Sequence, residues 1–119
     1  MRAPFTVAAL SVAILSVSAV TAEAHARLMR SDPAANAVVA APRAISLTFS
    51  ERVAPAFSGF DLTNAAGEVI PVRTRVSEDG KTVSGAPGRT LGAGAYTINW
   101  RIASSDGHRM TGAVAFTVR

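Results

Sequence analysis

No cysteine occurs in the 119 residues, so neither a disulfide nor a thiolate ligand is open to this chain. Zinc ribbons and thiolate copper sites are thereby excluded. Histidine is scarce too, with His25 and His108 the only examples. A single tryptophan and a single tyrosine leave little with which to stack on bases, and the arginines behind the net charge of +4 are scattered along the chain. That distribution describes a solvated surface and argues against a nucleic-acid track. Beyond the first two dozen residues no run approaches the roughly 20 apolar residues of a membrane helix. A sustained helical period is missing as well.

What the chain does have falls into two parts. Met1 and Arg2 give a short basic start, and an apolar run follows from Phe5 to Val20, broken only by Thr6, Ser11, Ser16 and Ser18. Thr21-Ala22-Glu23-Ala24 then supplies a small-x-small cleavage signal. Residues 1–24 are therefore expected to be a cleaved signal peptide, leaving a single domain over residues 25–119, exported to the periplasm. Two alternatives stay open at this point. The leader could remain as an anchor, and Ala24-His25-Ala26 is itself a small-x-small triplet, whose use would remove His25.

Period-two alternation governs the remainder. Ile45, Leu47 and Phe49 alternate with Ser46, Thr48 and Ser50; Tyr96, Ile98, Trp100 and Ile102 with Thr97, Asn99 and Arg101; Val114, Phe116 and Val118 with Ala115 and Thr117. Each run predicts a strand with one apolar face. Weaker strands are expected over residues 59–63, 69–76 and 81–84. Ala66-Gly67, Asp79-Gly80, Pro87-Gly88, Gly92-Ala93-Gly94 and Asp106-Gly107 punctuate them with turn chemistry. Short strands with frequent turns predict an all-β, antiparallel sandwich or barrel with Greek-key connections. Phe49, Trp100 and Phe116 are expected in its core.

The chemistry rests on few residues. If cleavage follows Ala24, His25 becomes residue one and offers both an amine and an imidazole nitrogen to one ion. In unstructured peptides these groups titrate near about 7.7–8.0 and 6.5, so both can serve as unprotonated ligands near neutrality. Asp106 and His108, in Ser104-Ser105-Asp106-Gly107-His108, are two apart across a glycine and able to grip the same ion. Two imidazoles, an amine and a carboxylate suit tetragonal copper(II). By spacing alone, Asp-Gly-His is more often a turn beside a solvated histidine.

Combined, these segments resemble the periplasmic copper-resistance family called CopC. The resemblance runs through His25-Ala26-Arg27-Leu28, Ser31-Asp32-Pro33-Ala34, Leu47-Thr48-Phe49-Ser50-Glu51, Ala95-Tyr96-Thr97-Ile98-Asn99-Trp100-Arg101, Ser104-Ser105-Asp106-Gly107-His108 and Gly112-Ala113-Val114-Ala115-Phe116-Thr117-Val118. It implies a cupredoxin-like Greek-key β-barrel or sandwich in one domain. It also implies that His25 binds copper(II) through its amine and ring, and that Asp106 and His108 match the remaining ligands. Glu51 matches an acidic residue resembling a close partner of the site; without the resemblance it reads as a solvated carboxylate. The chain is expected to be a monomeric carrier that sequesters copper or hands it to a membrane partner, which the resemblance suggests is of the CopD type. With no nucleophile-base pair or paired carboxylates it is not expected to be an enzyme.

The chain departs from methionine-rich members of that family. Outside Met1 it has only Met29 and Met110, so a copper(I) site built from thioethers is not expected. A terminal-histidine site also resembles that of copper monooxygenases acting on polysaccharides. Oxidative catalysis is therefore the rival reading, opposed by a carboxylate in the ligand set and by a domain with few loops.

Overall fold

The computed structural model describes residues 2–4, 13 and 25–119. The leader expected over residues 1–24 lies, apart from residues 2–4 and 13, outside the described residues. Among those described, no helix is long and apolar enough to cross a membrane.

The strands, in chain order, are β1 (Leu28–Asp32), β2 (Val38–Val39), β3 (Ile45–Phe49), β4 (Gly59–Asn64), β5 (Val69–Ile70), β6 (Val72–Val76), β7 (Thr82–Pro87), β8 (Gly94–Ala103) and β9 (Arg109–Val118), with one 3-10 turn at Pro55–Phe57. They form a two-sheet sandwich. One sheet has the order β1-β3-β7-β6 and the other β2-β9-β8-β4-β5. Among the described residues every strand pairing is antiparallel except β2 with β9.

The alternation read from the sequence fixes which side chains meet between the sheets. Ile45, Leu47 and Phe49 from β3, Phe60 and Leu62 from β4, and Tyr96, Ile98 and Ile102 from β8 are buried together with Val114, Phe116 and Val118 from β9. Cross-strand register places Tyr96 opposite Phe116 and Ile98 opposite Val114. The Tyr96 and Phe116 rings stack with centroids 5.6 Å apart. Tyr96 also donates its hydroxyl to the Gly92 carbonyl at 2.8 Å, which satisfies the one polar atom it brings inside.

Trp100 packs against this core while remaining partly buried. Its ring meets Phe49 edge-on, with centroids 5.2 Å apart. It also lies flat across its cross-strand partner Gly112, where an added Cβ would sit 2.2 Å from Trp100 Cζ2. No methyl fits there without moving the indole. Gly112→Ala should therefore destabilise the domain by about 1–3 kcal/mol, the usual range for overpacking a filled core. Gly92→Ala, with no atom within 4 Å of its added Cβ, serves as control. Urea denaturation of both variants checks this, and equal midpoints would contradict it.

The expected strand over residues 69–76 is two strands. Pro71 carries no amide hydrogen to donate to a ladder, and the chain changes sheets there: β5 pairs with β4 while β6 pairs with β7. β1 and β2 were not expected from periodicity. β1 carries an irregularity between Leu28 and Arg30 that puts Met29 outside the pairing and breaks the alternation.

Candidate metal centre

The sandwich brings three connections to one end: the segment before β1, the chain from β3 to β4, and the β8–β9 hairpin loop. His25 sits just ahead of β1. Ala26, next to it, is fully buried. The Arg27 backbone N–H donates to Ser50 Oγ at 2.8 Å, and the Ser50 N–H donates to the Arg27 carbonyl at 2.8 Å. A buried alanine and a reciprocal hydrogen-bonded pair thus fasten the chain immediately after an exposed His25.

The hairpin loop is built to aim its own side chains. The Gly107 N–H donates to the Ser104 carbonyl, and the Ser104 N–H to the His108 carbonyl, both at 2.9 Å. Gly107 takes φ +88°, the left-handed conformation that a three-residue hairpin loop requires at this position. The turn folds Asp106 and His108 onto the same side. Asp106 Oδ1 accepts from the Ser104 hydroxyl and from the His108 backbone N–H, the latter at 3.1 Å. Asp106 Oδ2 lies 2.8 Å from His108 Nδ1.

These contacts set the electrostatics. The Ser104 hydroxyl foremost, then the His108 ring and the His108 backbone N–H, hold the Asp106 carboxyl well below the usual carboxylate range. An ionised carboxylate only accepts hydrogen bonds, so His108 Nδ1 is the donor of that pair. In the neutral imidazole the free lone pair then lies on Nε2, on the side of the ring away from Asp106. One ion can therefore be shared by His108 and Asp106 only if it takes the place of the proton between Nδ1 and the carboxylate.

The His25 ring stands edge-on to His108, with centroids 4.7 Å apart and planes at 81°. One donor atom each from His25, Asp106 and His108 lies within 4.8 Å of the other two, and all three residues are exposed. Two residues from the hairpin loop and one from the start of β1, 81 positions before Asp106, thus converge on a point that a single ion can occupy. Glu51 does not join them. It is exposed, two residues beyond the end of β3, and outside the trio.

Three residues essential to this geometry were not singled out from the sequence. Ser104 is 3% exposed and anchors Asp106; Ala26 and Ser50 position His25. Only Ser104 carried a legible signal, a hydroxyl two residues before an Asp-Gly turn.

A model of the CopC domain matches residues 28–119. Copper resistance protein C from Xanthomonas campestris pv. juglandis is 35% identical over 111 residues, covering 87% of each chain. The crystal structure of PcoC, a methionine-rich copper resistance protein from Escherichia coli, matches with a TM-score of 0.72 and 37% identity, over 80% of this chain and 99% of that one. Copper transport protein CutJ from Bacillus subtilis is 26% identical over 101 residues, which is 82% of this chain and 19% of that longer one. The methionine richness of PcoC has no counterpart here: within residues 25–119, Met29 is exposed and Met110 partly buried in β9.

Proposed function

The chain belongs to the CopC family of copper-resistance proteins, and from that premise we propose that residues 25–119 form an exported monomeric carrier for one copper(II) ion. The family's members bind copper and are not enzymes, which sets aside oxidative catalysis. The observation that carries the proposal is the convergence of His25, Asp106 and His108 within 4.8 Å.

The ligands would be His25 through its amine and ring, the Asp106 carboxylate and the His108 ring through Nδ1, the nitrogen that faces Asp106. Nitrogen and oxygen donors in one plane favour copper(II), and without a cluster of thioethers copper(I) has little to hold it. Glu51, outside the trio, would contribute less than any of the three. Cleavage after Ala24 supplies the free amine, and the family match beginning at residue 28 leaves the leader pattern ahead of the domain. The exposure of all three ligands suits an ion that is loaded and passed on. Similarity to one fifth of a copper transport protein supports delivery to a membrane partner, which we take to be of the CopD type.

Calorimetric titration of the chain beginning at His25 is expected to give one copper(II) per protein, with copper(I) bound far more weakly in a matched competition. A second tight equivalent, or preference for copper(I), would refute the proposed site. Ser104→Ala should lower copper(II) affinity by about 10-fold, the smaller end of the cost of losing a group that orients a ligand. An unchanged affinity would show that the Ser104 hydroxyl does not position Asp106 for the metal.

A further inference from the structure

The 3-10 turn Pro55–Phe57 lies against the metal-binding hairpin. The Ala54 N–H donates to the Ala103 carbonyl at 2.8 Å, the Ala103 N–H donates to Ser58 Oγ at 3.2 Å, and Val53 forms a bridge with Ser104. This bonding leaves Phe57 59% exposed beside the loop that carries Asp106 and His108. The Arg109 guanidinium, one residue after His108, stands 5.3 Å from the Phe57 ring centroid. Arg101, exposed on β8, is opposite Thr111 on one side and Gly59 on the other. Neither Arg101 nor Arg109 has a carboxylate partner among the described residues, whereas Arg89 pairs with Glu68 at 2.6 Å.

A lone exposed aromatic is ordinary. Here one arginine stands over it, a second lies diagonally across the β8–β9 ladder from that arginine, and hydrogen bonds tie its turn to the metal-binding loop. Aromatic and arginine side chains are the types that dominate protein interfaces. We infer that Phe57, Arg101 and Arg109 form the docking rim for an acidic segment of the protein that receives the metal.

The inference rests on the copper(II) reading for its purpose, though not for its chemistry. The segment's carboxylates pair with the two guanidiniums, an apolar side chain covers Phe57, and its own nitrogen and oxygen donors reach the exposed trio. A membrane surface fits less well. One exposed phenylalanine among polar neighbours offers too little apolar area for insertion, and a lipid headgroup supplies no imidazole to accept copper.

The test uses the chain beginning at His25, free of metal, and a blocked synthetic peptide with four glutamates, one leucine and one histidine. A second peptide carries glutamines in place of the glutamates. By amide-resolved NMR titration at low salt, the glutamate peptide should bind at least about 10-fold more tightly, with shifts centred on Phe57, Arg101 and Arg109. The double variant R101E/R109E should abolish that preference, and Phe57→Ala should weaken the glutamate peptide by about 5-fold. R73E/R75E, an equal charge change on β6, should leave the preference intact.

Equal binding of the two peptides would overturn the inference. So would equal loss of preference in R73E/R75E, which would reduce the effect to net charge. Binding of phosphatidylglycerol vesicles at the rim without peptide binding would overturn it in favour of a membrane. Because docking is read without metal, failure of the protein to bind copper(II) would refute the proposed function and leave this result standing by itself.

Discussion

Placing Gly-Ser in front of His25 is expected to lower copper(II) affinity by orders of magnitude while leaving the metal-free fold intact. The extension converts the amine of His25 into an amide. An amide nitrogen is a poor donor until it loses its proton, so one arm of the proposed chelate is lost while the ring remains. Even changes one layer outside the ligands cost about 10–100-fold in metal affinity. Removing a direct donor should cost more. The fold has no reason to respond, because His25 is exposed and the contacts that fasten the chain begin at Ala26 and the Arg27–Ser50 pair. Competition titration gives the affinity and circular dichroism the fold. Equal affinity in the extended protein would mean that the amine is not a ligand.

His108→Ala and Asp106→Ala are each expected to weaken copper(II) by more than about 100-fold, well beyond Glu51→Gln. Asp106 has two tasks in this geometry. With no metal bound it accepts the His108 Nδ1 proton at 2.8 Å and holds the ring, and when the ion replaces that proton it would bind the ion, so its removal also frees the imidazole to turn. The sign of the pH effect follows from its lowered pKa. A depressed carboxyl contributes stability above its ordinary value of 3.8 and loses it as the pH falls through the lowered folded value. Asp106 therefore stays ionised in mild acid, and any loss of copper there would come from protons competing for the other proposed donors. Both variants should remain folded without metal, since the core is held by Phe49, Phe60 and Phe116. Unfolding of either metal-free variant would return these residues to a purely structural role.

How much of this was legible in the sequence varied with the physics of each element. β3, β8 and the second half of β9 stood out because each buries every second residue against the opposite sheet. β1 did not, because its irregularity at Met29 defeats a period-two reading; β2 is too short to show a period at all. Pro71 carried the signal that divides β5 from β6, but the sequence does not say that the two halves join different sheets.

The site divides in the same way. Asp106 and His108 are a local turn, and their shared direction follows from Asp-Gly-His spacing. Their meeting with His25 is a product of topology, which sets the start of β1 beside the β8–β9 loop; the sequence offered it only through family resemblance. The supports are less legible still. Ala26 and Ser50 act through burial and backbone hydrogen bonds, which leave no mark in residue type. Glu51 is known only through the resemblance, which implies a close partner of the site; it is not one of the three residues whose donor atoms converge.

In the proposed site one copper(II) ion is held by nitrogen from both ends of the domain and by oxygen from Asp106. Electron paramagnetic resonance of the chain beginning at His25, loaded with one equivalent of copper(II) and compared with its 15N-histidine form, tests this most directly. A single tetragonal signal is predicted, with couplings from His25 and His108 nitrogens and loss of the His108 coupling in His108→Ala. A spectrum of hydrated copper(II), or one that His108→Ala leaves unchanged, would contradict it.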